Sequence, residues 1–229
     1  MSTPPSLTEL YAADGLFGRL VAAAAGPWRD YTEHEFVRGL GDGSLPRAAF
    51  QRYLIQDYLF LIHFSRAYGL AIYKTTDPAE MRAFQATLDA ILNHEMALHI
   101  AYSAEWGLSE RDLVETPEHP SNLAYTRFVL DCGLAGDLLD LAVALSPCVI
   151  GYAVIGGTLA ATAAAATPYR KWIDAYDGAD YREVARSAAA LLDRLAARRG
   201  GGARQPELTK LFAQACRLEA SFWQMGLTG

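Results

Sequence analysis

Apolar side chains recur at three- and four-residue spacing along most of the chain, and no run alternates between apolar and polar residues as a half-buried strand does. Residues 108–120 are predicted to form a loop with a short helical turn. The fold class is therefore all-α, a single domain over residues 1–229 built as a bundle of about eight to ten helices. The pattern predicts helices or long apolar segments over residues 7–25, 28–40, 46–74, 78–106, 122–132, 136–166, 168–176, 181–199 and 206–225.

Proline and glycine mark several expected helix ends. Gly26-Pro27 should end the first helix, and Gly133 should end the helix that begins near residue 122. Pro46 should be the first residue of a long helix, because its fixed backbone angle suits that position.

One segment is long and apolar enough to raise the question of a membrane span. From Leu141 to Tyr169 no side chain carries a charge, and this length spans a bilayer. The segment is rich in alanine, glycine and threonine, which favour insertion much less than leucine, isoleucine and phenylalanine do, and Pro147 lies inside it. We therefore expect a buried central helix and no membrane partner.

The composition is that of a packed globular protein, with 52% hydrophobic and 20% charged residues. The formal net charge is −6 and the basic residues form no long block, which argues against nucleic acid as a partner. The three cysteines include no C-x-x-C pair, so reduced thiols are expected rather than a disulfide framework or a zinc site. The first residues lack the basic and apolar regions of a signal peptide, and we expect a cytoplasmic protein.

Ser146-Pro147-Cys148 is the most informative tripeptide for chemistry. If the apolar segment is interrupted there, with Ser146 as the N-cap and Pro147 as the first helical residue, Cys148 occupies the second position of a new helix. Unpaired backbone N–H groups and the positive end of the helix dipole would then favour a reactive thiolate. The alternative is a small buried side chain beside a proline kink, since cysteine is among the most buried residue types.

An acid, Asp57, lies on the same helix face as the aromatic residues Tyr53 and Phe60. A carboxylate on such a face is costly unless it meets a partner. Two interpretations stand side by side: an acid that binds a ligand, and an acid that is solvated or paired with Arg52 or Arg66.

A second acid, Glu219, precedes Phe222 and Trp223 by three and four residues on a predicted helix. A surface glutamate is the default interpretation. Glu95 and His99 are spaced as a carboxylate–histidine pair that binds metal in helical proteins, but no second pair occurs. A structural, hydrogen-bonded histidine is therefore favoured.

Six segments follow one another along the chain in a recognisable order. They begin at Gly41, Tyr53, Glu95, Leu145, Tyr169 and Glu219, and read GDGSLPRAAF, YLIQDYLFL, EMALH, LSPCVIGY, YRKWIDAY and EASFW. Together they resemble the TenA family, also called thiaminase II, and they cover most of the chain. Each segment alone is a weak signal, but six in sequence are specific.

The resemblance implies a haem-oxygenase-like helical fold, a homotetramer, and an aminopyrimidine or thiamin as the small-molecule partner. The implied reaction is hydrolysis of 4-amino-5-aminomethyl-2-methylpyrimidine to the hydroxymethyl pyrimidine in thiamin salvage, with cleavage of thiamin as a side activity and with neither a metal nor a cofactor. By position, Cys148 matches the nucleophile and Glu219 the acid at the pyrimidine ring. The residues that match the substrate-binding positions are Asp57, Phe60, Tyr125, Tyr152, Tyr176 and Phe222.

Two residues depart from the family pattern. Phe60 stands where many members carry a tyrosine, and Val154 stands where a glutamate often follows the pocket tyrosine. Both departures bear on rate and substrate preference. They also leave open a protein of this family that binds a pyrimidine without hydrolysing it. Two further alternatives are a regulatory protein of this family and a metal-dependent oxygenase on the same scaffold.

Overall fold

A computed structural model describes residues 10–229, apart from the side chain of His94, and within this part of the chain all regular structure is helical. The all-α prediction is confirmed. The helices are α1 (Leu16–Ala23), α2 (Ala25–Thr32), α3 (Glu35–Asp42), α4 (Arg47–Tyr73), α5 (Pro78–Ala90), α6 (Met96–Glu105), α7 (Glu110–Glu115), α8 (Pro120–Ala135), α9 (Leu138–Thr162), α10 (Arg170–Asp177), α11 (Ala179–Arg198) and α12 (Gln205–Thr228).

The first two predicted helices differ from the observed ones. Residues 7–9 lie outside the described part of the chain, and α1 begins only at Leu16. Gly26 and Pro27 do not end a helix, because both lie in the first turn of α2. Proline is tolerated there, since the N–H groups of the first turn have no partner within the helix.

The start of α4 agrees with the prediction to within one residue. Pro46 is the N-cap rather than the first helical residue, and its carbonyl accepts hydrogen bonds from the backbone N–H groups of Ala49 and Phe50 at 2.9 and 3.2 Å. Farther along, a π-helical turn at Ile91–Glu95 divides the single helix predicted over 78–106 into α5 and α6.

The chain divides into two compact units, of which the first comprises residues 1–45 and 142–220. In its described part, the rings of Phe17, Trp28 and Phe212 pack with centroids 5.5 to 5.8 Å apart. The carboxylate of Asp193, on α11, accepts a hydrogen bond from the backbone N–H of Leu16 at 2.6 Å. This bond satisfies one of the free N–H groups at the start of α1.

The second unit comprises residues 46–141 and 221–229, and in it α4 packs against α5, α6, α7 and α8. The prediction that Gly133 ends a helix is wrong, because α8 continues to Ala135. A Cβ at Gly133 would lie 2.6 Å from the side chain of Leu70 and 3.1 Å from that of Leu141. The absence of a side chain therefore allows α8 to pack closely against α4 and the first turn of α9.

The helix α9 is the one helix of residues 10–229 that is long and apolar enough to cross a membrane by length and composition. Its most apolar window has a mean hydropathy of 2.1, and 83% of that window is buried inside the protein. The burial agrees with the predicted central core helix.

The contact between α9 and α10 depends on a glycine. A Cβ at Gly156 would lie 2.7 Å from the carbonyl carbon of Tyr176 and 2.9 Å from the backbone nitrogen of Asp177. Backbone atoms cannot turn aside as a flexible side chain can. The adjacent Gly157 meets only the side chain of Asp177, at 3.5 Å, which is an ordinary contact.

We therefore predict that Gly156→Ala lowers the free energy of unfolding by about 1–3 kcal/mol, because α9 and α10 must move apart. The matched control Gly157→Ala should leave stability unchanged or raise it by up to about 1 kcal/mol, since alanine is the better helix former. Urea unfolding followed by circular dichroism measures both values. Equal stabilities of the two variants would contradict the close approach seen at Gly156.

Candidate functional site

The predicted interruption at Ser146-Pro147 is wrong. The helix α9 runs without a break from Leu138 to Thr162, with Pro147 in its interior. Cys148 therefore lies in the middle of a helix and not at the second position of a new one. Its thiol is half-buried, and the free N–H groups of a helix N-terminus are not available to activate it.

Two side chains stabilise the helix around the proline. Pro147 has no N–H, so the carbonyl of Val143, four residues earlier, lacks its usual backbone donor. The hydroxyl of Ser146, which is 3% exposed, donates to this carbonyl at 2.8 Å. The hydroxyl of Tyr31 donates to the carbonyl of Pro147 at 3.2 Å. These bonds allow the helix to continue and fix the backbone that carries Cys148.

A second glycine of α9 makes room for this tyrosine. A Cβ at Gly151 would lie 2.6 Å from the ring of Tyr31. The segment LSPCVIGY thus contains Cys148 together with two residues that support the helix around it. Ser146 supplies the hydroxyl that binds the carbonyl of Val143, and Gly151 leaves room for Tyr31.

One turn after Cys148, Tyr152 belongs to an aromatic cluster. The ring of Tyr176 lies 4.9 Å from that of Tyr152, and Trp172 lies 5.9 Å from Tyr152 and 4.6 Å from Tyr176. The ring of Tyr181 extends the cluster, 4.9 Å from Tyr176. Two of the three candidate pocket tyrosines are therefore in direct contact, and such faces can stack a flat heterocycle.

Glu219 is only 2% exposed, so the interpretation as a surface glutamate is wrong. On the same helix, burial raises the pKa of the Cys216 thiol, and the nearby charge of Glu219 raises it further. This thiol is therefore protonated and unreactive at neutral pH. Val154, on α9, is 5% exposed, and it adds an apolar side chain where a glutamate often stands in the family.

In the second unit, Asp57 is buried and is not paired with an arginine. The hydroxyl of Tyr53 donates to its Oδ2 atom at 3.2 Å. Arg52 donates instead to two backbone carbonyls at the end of α12, and Arg66 contacts His63. The interpretation as a solvated or arginine-paired acid is therefore wrong, and the interpretation as a ligand-binding acid stays a prediction.

Aromatic rings line the same side of α4. The ring of Phe60 lies 5.1 Å from that of Tyr125 and 5.8 Å from that of Phe222. Phe222 in turn lies 6.2 Å from Tyr53, whose hydroxyl binds Asp57. The structure thus brings together four predicted residues, Asp57, Phe60, Tyr125 and Phe222, in this unit. Cys148, Tyr152, Tyr176 and Glu219 all belong to the other unit.

His99 is hydrogen-bonded, as the sequence interpretation favoured. Its Nε2 atom lies 2.6 Å from the carbonyl oxygen of Leu54, and its Nδ1 atom lies 3.7 Å from Oδ2 of Asp57. Among the described residues, no group of three or more histidine, cysteine, aspartate or glutamate side chains is arranged to hold a metal ion.

Burial sets the protonation of this group. It raises the pKa of Asp57 to about 7, against the opposing effect of the hydrogen bond from Tyr53. It also raises the pKa of Glu95 to about 7, to which the neighbouring charge of Asp57 adds. Burial lowers the pKa of His99. Near neutral pH, the carboxyl groups of Asp57 and Glu95 can therefore be present in both the protonated and the charged form.

Sequence reasoning did not identify Tyr53, His99 or Tyr31 as supporting residues. The four-residue spacing of Tyr53 and Asp57 was a usable signal, because it places both on one helix face. No local pattern links His99 to Asp57 or Tyr31 to Pro147, since these contacts join distant parts of the chain.

The chain is similar to known proteins over most of its length. The model of the TENA/THI-4/PQQC family matches residues 22–229. An aminopyrimidine aminohydrolase of Halalkalibacterium halodurans is 36% identical over 201 residues, which make up 86% of this chain and 89% of that protein. An uncharacterized protein of Haemophilus influenzae is 40% identical over 211 residues, 91% of this chain and 97% of its own length. The crystal structure of a TenA family transcription regulator from Silicibacter sp. TM1040 matches with a TM-score of 0.90 and 48% identity, covering 93% of this chain and 97% of that one.

The support around Pro147 makes a first prediction for this site. Ser146→Ala should lower the free energy of unfolding by about 1–3 kcal/mol, because the buried carbonyl of Val143 loses its donor. In a Pro147→Ala background the same change should cost much less, since residue 147 then supplies the N–H. Thr162→Ala, which removes an exposed hydroxyl that donates to a carbonyl on the same helix, is the matched control. A cost that is independent of the residue at position 147 would contradict this account.

The pKa of Asp57 makes a second prediction. In the unfolded chain an aspartate titrates at about pH 3.9, so the folded protein holds an extra proton between about pH 4 and 7. The stability that this group contributes is complete below the lower value and is lost as the pH rises from about 4 to 7, by up to about 1.4 kcal/mol per pH unit. Asp57→Asn should flatten this slope, as measured by urea unfolding at several pH values. Asp174→Asn, which removes a carboxyl group that is 63% exposed, should not. Parallel curves for wild type and Asp57→Asn would refute the prediction.

Proposed function

Because the chain belongs to the TENA/THI-4/PQQC family, we propose that it hydrolyses 4-amino-5-aminomethyl-2-methylpyrimidine to the hydroxymethyl pyrimidine and ammonia in thiamin salvage. The observation that carries the proposal is the 36% identity with an aminopyrimidine aminohydrolase over most of both chains. Cleavage of thiamin is the proposed side activity, since thiamin carries the same pyrimidine with a different leaving amine.

In the proposed mechanism, the sulfur of Cys148 adds to the ring carbon beside the one that bears the aminomethyl group. A pyrimidine accepts a nucleophile poorly unless a ring nitrogen is protonated as the bond forms, and we assign this protonation to Glu219. The protonated amino group then leaves the exocyclic methylene as ammonia. Water adds to that methylene, and the C–S bond breaks to regenerate the thiol and the aromatic ring. The net change is one water consumed and one ammonia released.

Activation of the thiol is assigned to a carboxylate, because Cys148 lies in mid-helix. The proton that leaves the sulfur and the proton that reaches the ring nitrogen can be the same one, relayed through Glu219. Glu219 suits this role because, at 2% exposure, its carboxyl group is shielded from bulk water.

We assign recognition of the pyrimidine ring to the residues whose positions match the substrate-binding positions of the family. Asp57 binds the aminopyrimidine edge, and the rings of Phe60, Tyr125 and Phe222 supply the aromatic surface beside it. Tyr152 and Tyr176 have the corresponding role near Cys148. Phe60 lacks the hydroxyl of a tyrosine, and the missing hydrogen bond should lower the rate or affinity by the equivalent of about 0.5–1.5 kcal/mol.

A homotetramer in the cytoplasm is the proposed state of the protein. The family resemblance supports it, and so do several large apolar side chains on the second unit that are exposed in the single chain. These include Tyr73, Leu98 and Leu134, at 86%, 69% and 70% exposure. Single exposed apolar residues are common, but long helices that present several are suited to subunit contacts.

The decisive experiment is release of ammonia from the aminomethyl pyrimidine. Cys148→Ala should reduce the rate at least about 1,000-fold, as loss of a nucleophile does. Glu219→Gln should lower it strongly as well. Cys132→Ala removes the other half-buried thiol and is the matched control, with a rate near that of wild type.

Two results would overturn parts of this proposal. Folded wild-type protein that binds the pyrimidine without releasing ammonia would refute the hydrolase. Undiminished release by Cys148→Ala would refute the nucleophile and leave the hydrolase standing.

A further inference from the structure

One oxygen of Asp57 meets two side chains from different helices. The hydroxyl of Tyr53 donates to Oδ2 at 3.2 Å, and Nδ1 of His99 lies 3.7 Å from the same atom. The side chains of Asp57 and His99 are each only 9% exposed. No described residue hydrogen-bonds Oδ1 of Asp57, so this oxygen retains its capacity to bind a ligand.

The hydrogen bond at the other ring nitrogen fixes the tautomer of His99. The carbonyl of Leu54 can only accept, so Nε2 of His99 carries a proton. In the neutral ring Nδ1 then carries a lone pair and no proton, and at 3.7 Å from Oδ2 it faces the carboxyl group without a hydrogen bond to it. Burial raises the pKa of Asp57 and lowers that of His99, so a proton held by this pair lies on the carboxyl group, which can donate it to Nδ1 when the two atoms move closer.

We propose that His99 is a positioning residue for Asp57, which holds Oδ2 together with Tyr53 so that Oδ1 is left to accept a hydrogen bond from the exocyclic amino group of the substrate. The inference rests on the proposed function and deepens it.

Few other titratable groups face Asp57 from the packed elements. Glu95, in the π-helical turn, is the nearby second carboxyl group, and its charge and that of Asp57 disfavour each other. From α8, Tyr125 packs against Phe60, and on α5 the buried Glu80 accepts a hydrogen bond from Thr75. The charged side chains of α7 are exposed, and residues 221–229 contain no titratable side chain. Among the described side chains, Glu95 is therefore the charge that competes when His99 is removed.

The test compares His99→Gln with wild type. Glutamine can keep the donor to the Leu54 carbonyl while it removes the atom that faces Asp57. We expect KM for the aminomethyl pyrimidine to rise about tenfold, the scale of one hydrogen bond, with a change in kcat of less than about threefold. The carboxyl signal of Asp57, followed by carbon-13 NMR, should titrate at lower pH, because the protonated acid has lost its acceptor.

Gln51→Ala is the matched control. Its amide donates to the Trp106 carbonyl at 2.7 Å, so it too joins α4 to a backbone carbonyl of a neighbouring segment, without contact to Asp57. It should leave KM and the Asp57 titration as in wild type. If His99→Gln has the same KM and the same Asp57 titration as this control, His99 is merely structural and the inference is wrong.

Two further measurements test the inference even if His99→Gln does not fold or the proposed hydrolase activity is not found. If His99→Gln does not fold, nitrogen-15 signals of His99 in the wild type must change at the pH where Asp57 titrates, and their independence would refute the coupling. If wild type releases no ammonia, the proposed hydrolase fails, while the NMR titrations still decide whether His99 acts on Asp57.

Discussion

The helix α4 carries two adjacent polar side chains, Gln56 and Asp57, each 6% exposed, and both must be satisfied inside the second unit. The amide of Gln56 donates to the carbonyl of Pro117 at 3.0 Å, and its oxygen accepts from the backbone N–H of His119 at 2.8 Å and from the side chain of Asn122 at 3.2 Å. An unpaired buried polar group costs about 1–3 kcal/mol, so these bonds fix the segment that leads into α8. Gln56 thereby fixes the start of α8. This helix carries Tyr125, whose ring packs against Phe60, one turn after Asp57 on α4.

The need to satisfy buried polar groups also determines how α9 continues through Pro147. A proline in a helix interior costs about 3 kcal/mol or more, in part because it leaves a carbonyl without a donor. The hydroxyl of Ser146 supplies that donor, and Tyr31 binds the carbonyl of Pro147. The reactivity proposed for Cys148 must then come from groups around it and not from a helix end. In the proposed mechanism, a mid-helix thiol on a fixed backbone suits attack on one ring position, because its direction varies little.

Much of the fold follows from local signals, and the errors have a common cause. Asp77 and Ser109 cap α5 and α7 through bonds to residues two or three positions on, so such starts can be read from the sequence. The breaks predicted at Gly133 and at Ser146-Pro147 are wrong, and at both sites contacts with residues distant in sequence help the helix to continue. The hydroxyl that supports Pro147 comes from a residue 116 positions earlier. Local propensity identifies a weak point in a helix, but packing decides whether the helix ends there.

The candidate site shows the same division. Helical spacing placed Asp57 on an aromatic face, but its second partner, His99, comes from another helix and leaves no trace in the local pattern. The two departures from the family pattern also become intelligible through burial. At position 154, a glutamate that is 5% exposed would need a partner, and valine removes that need. At position 60, phenylalanine keeps the stacking surface against Tyr125 and Phe222 and gives up only a hydroxyl. With fewer polar groups on that face, the proposed recognition of the substrate depends more strongly on Oδ1 of Asp57, and so on the residues proposed to orient it.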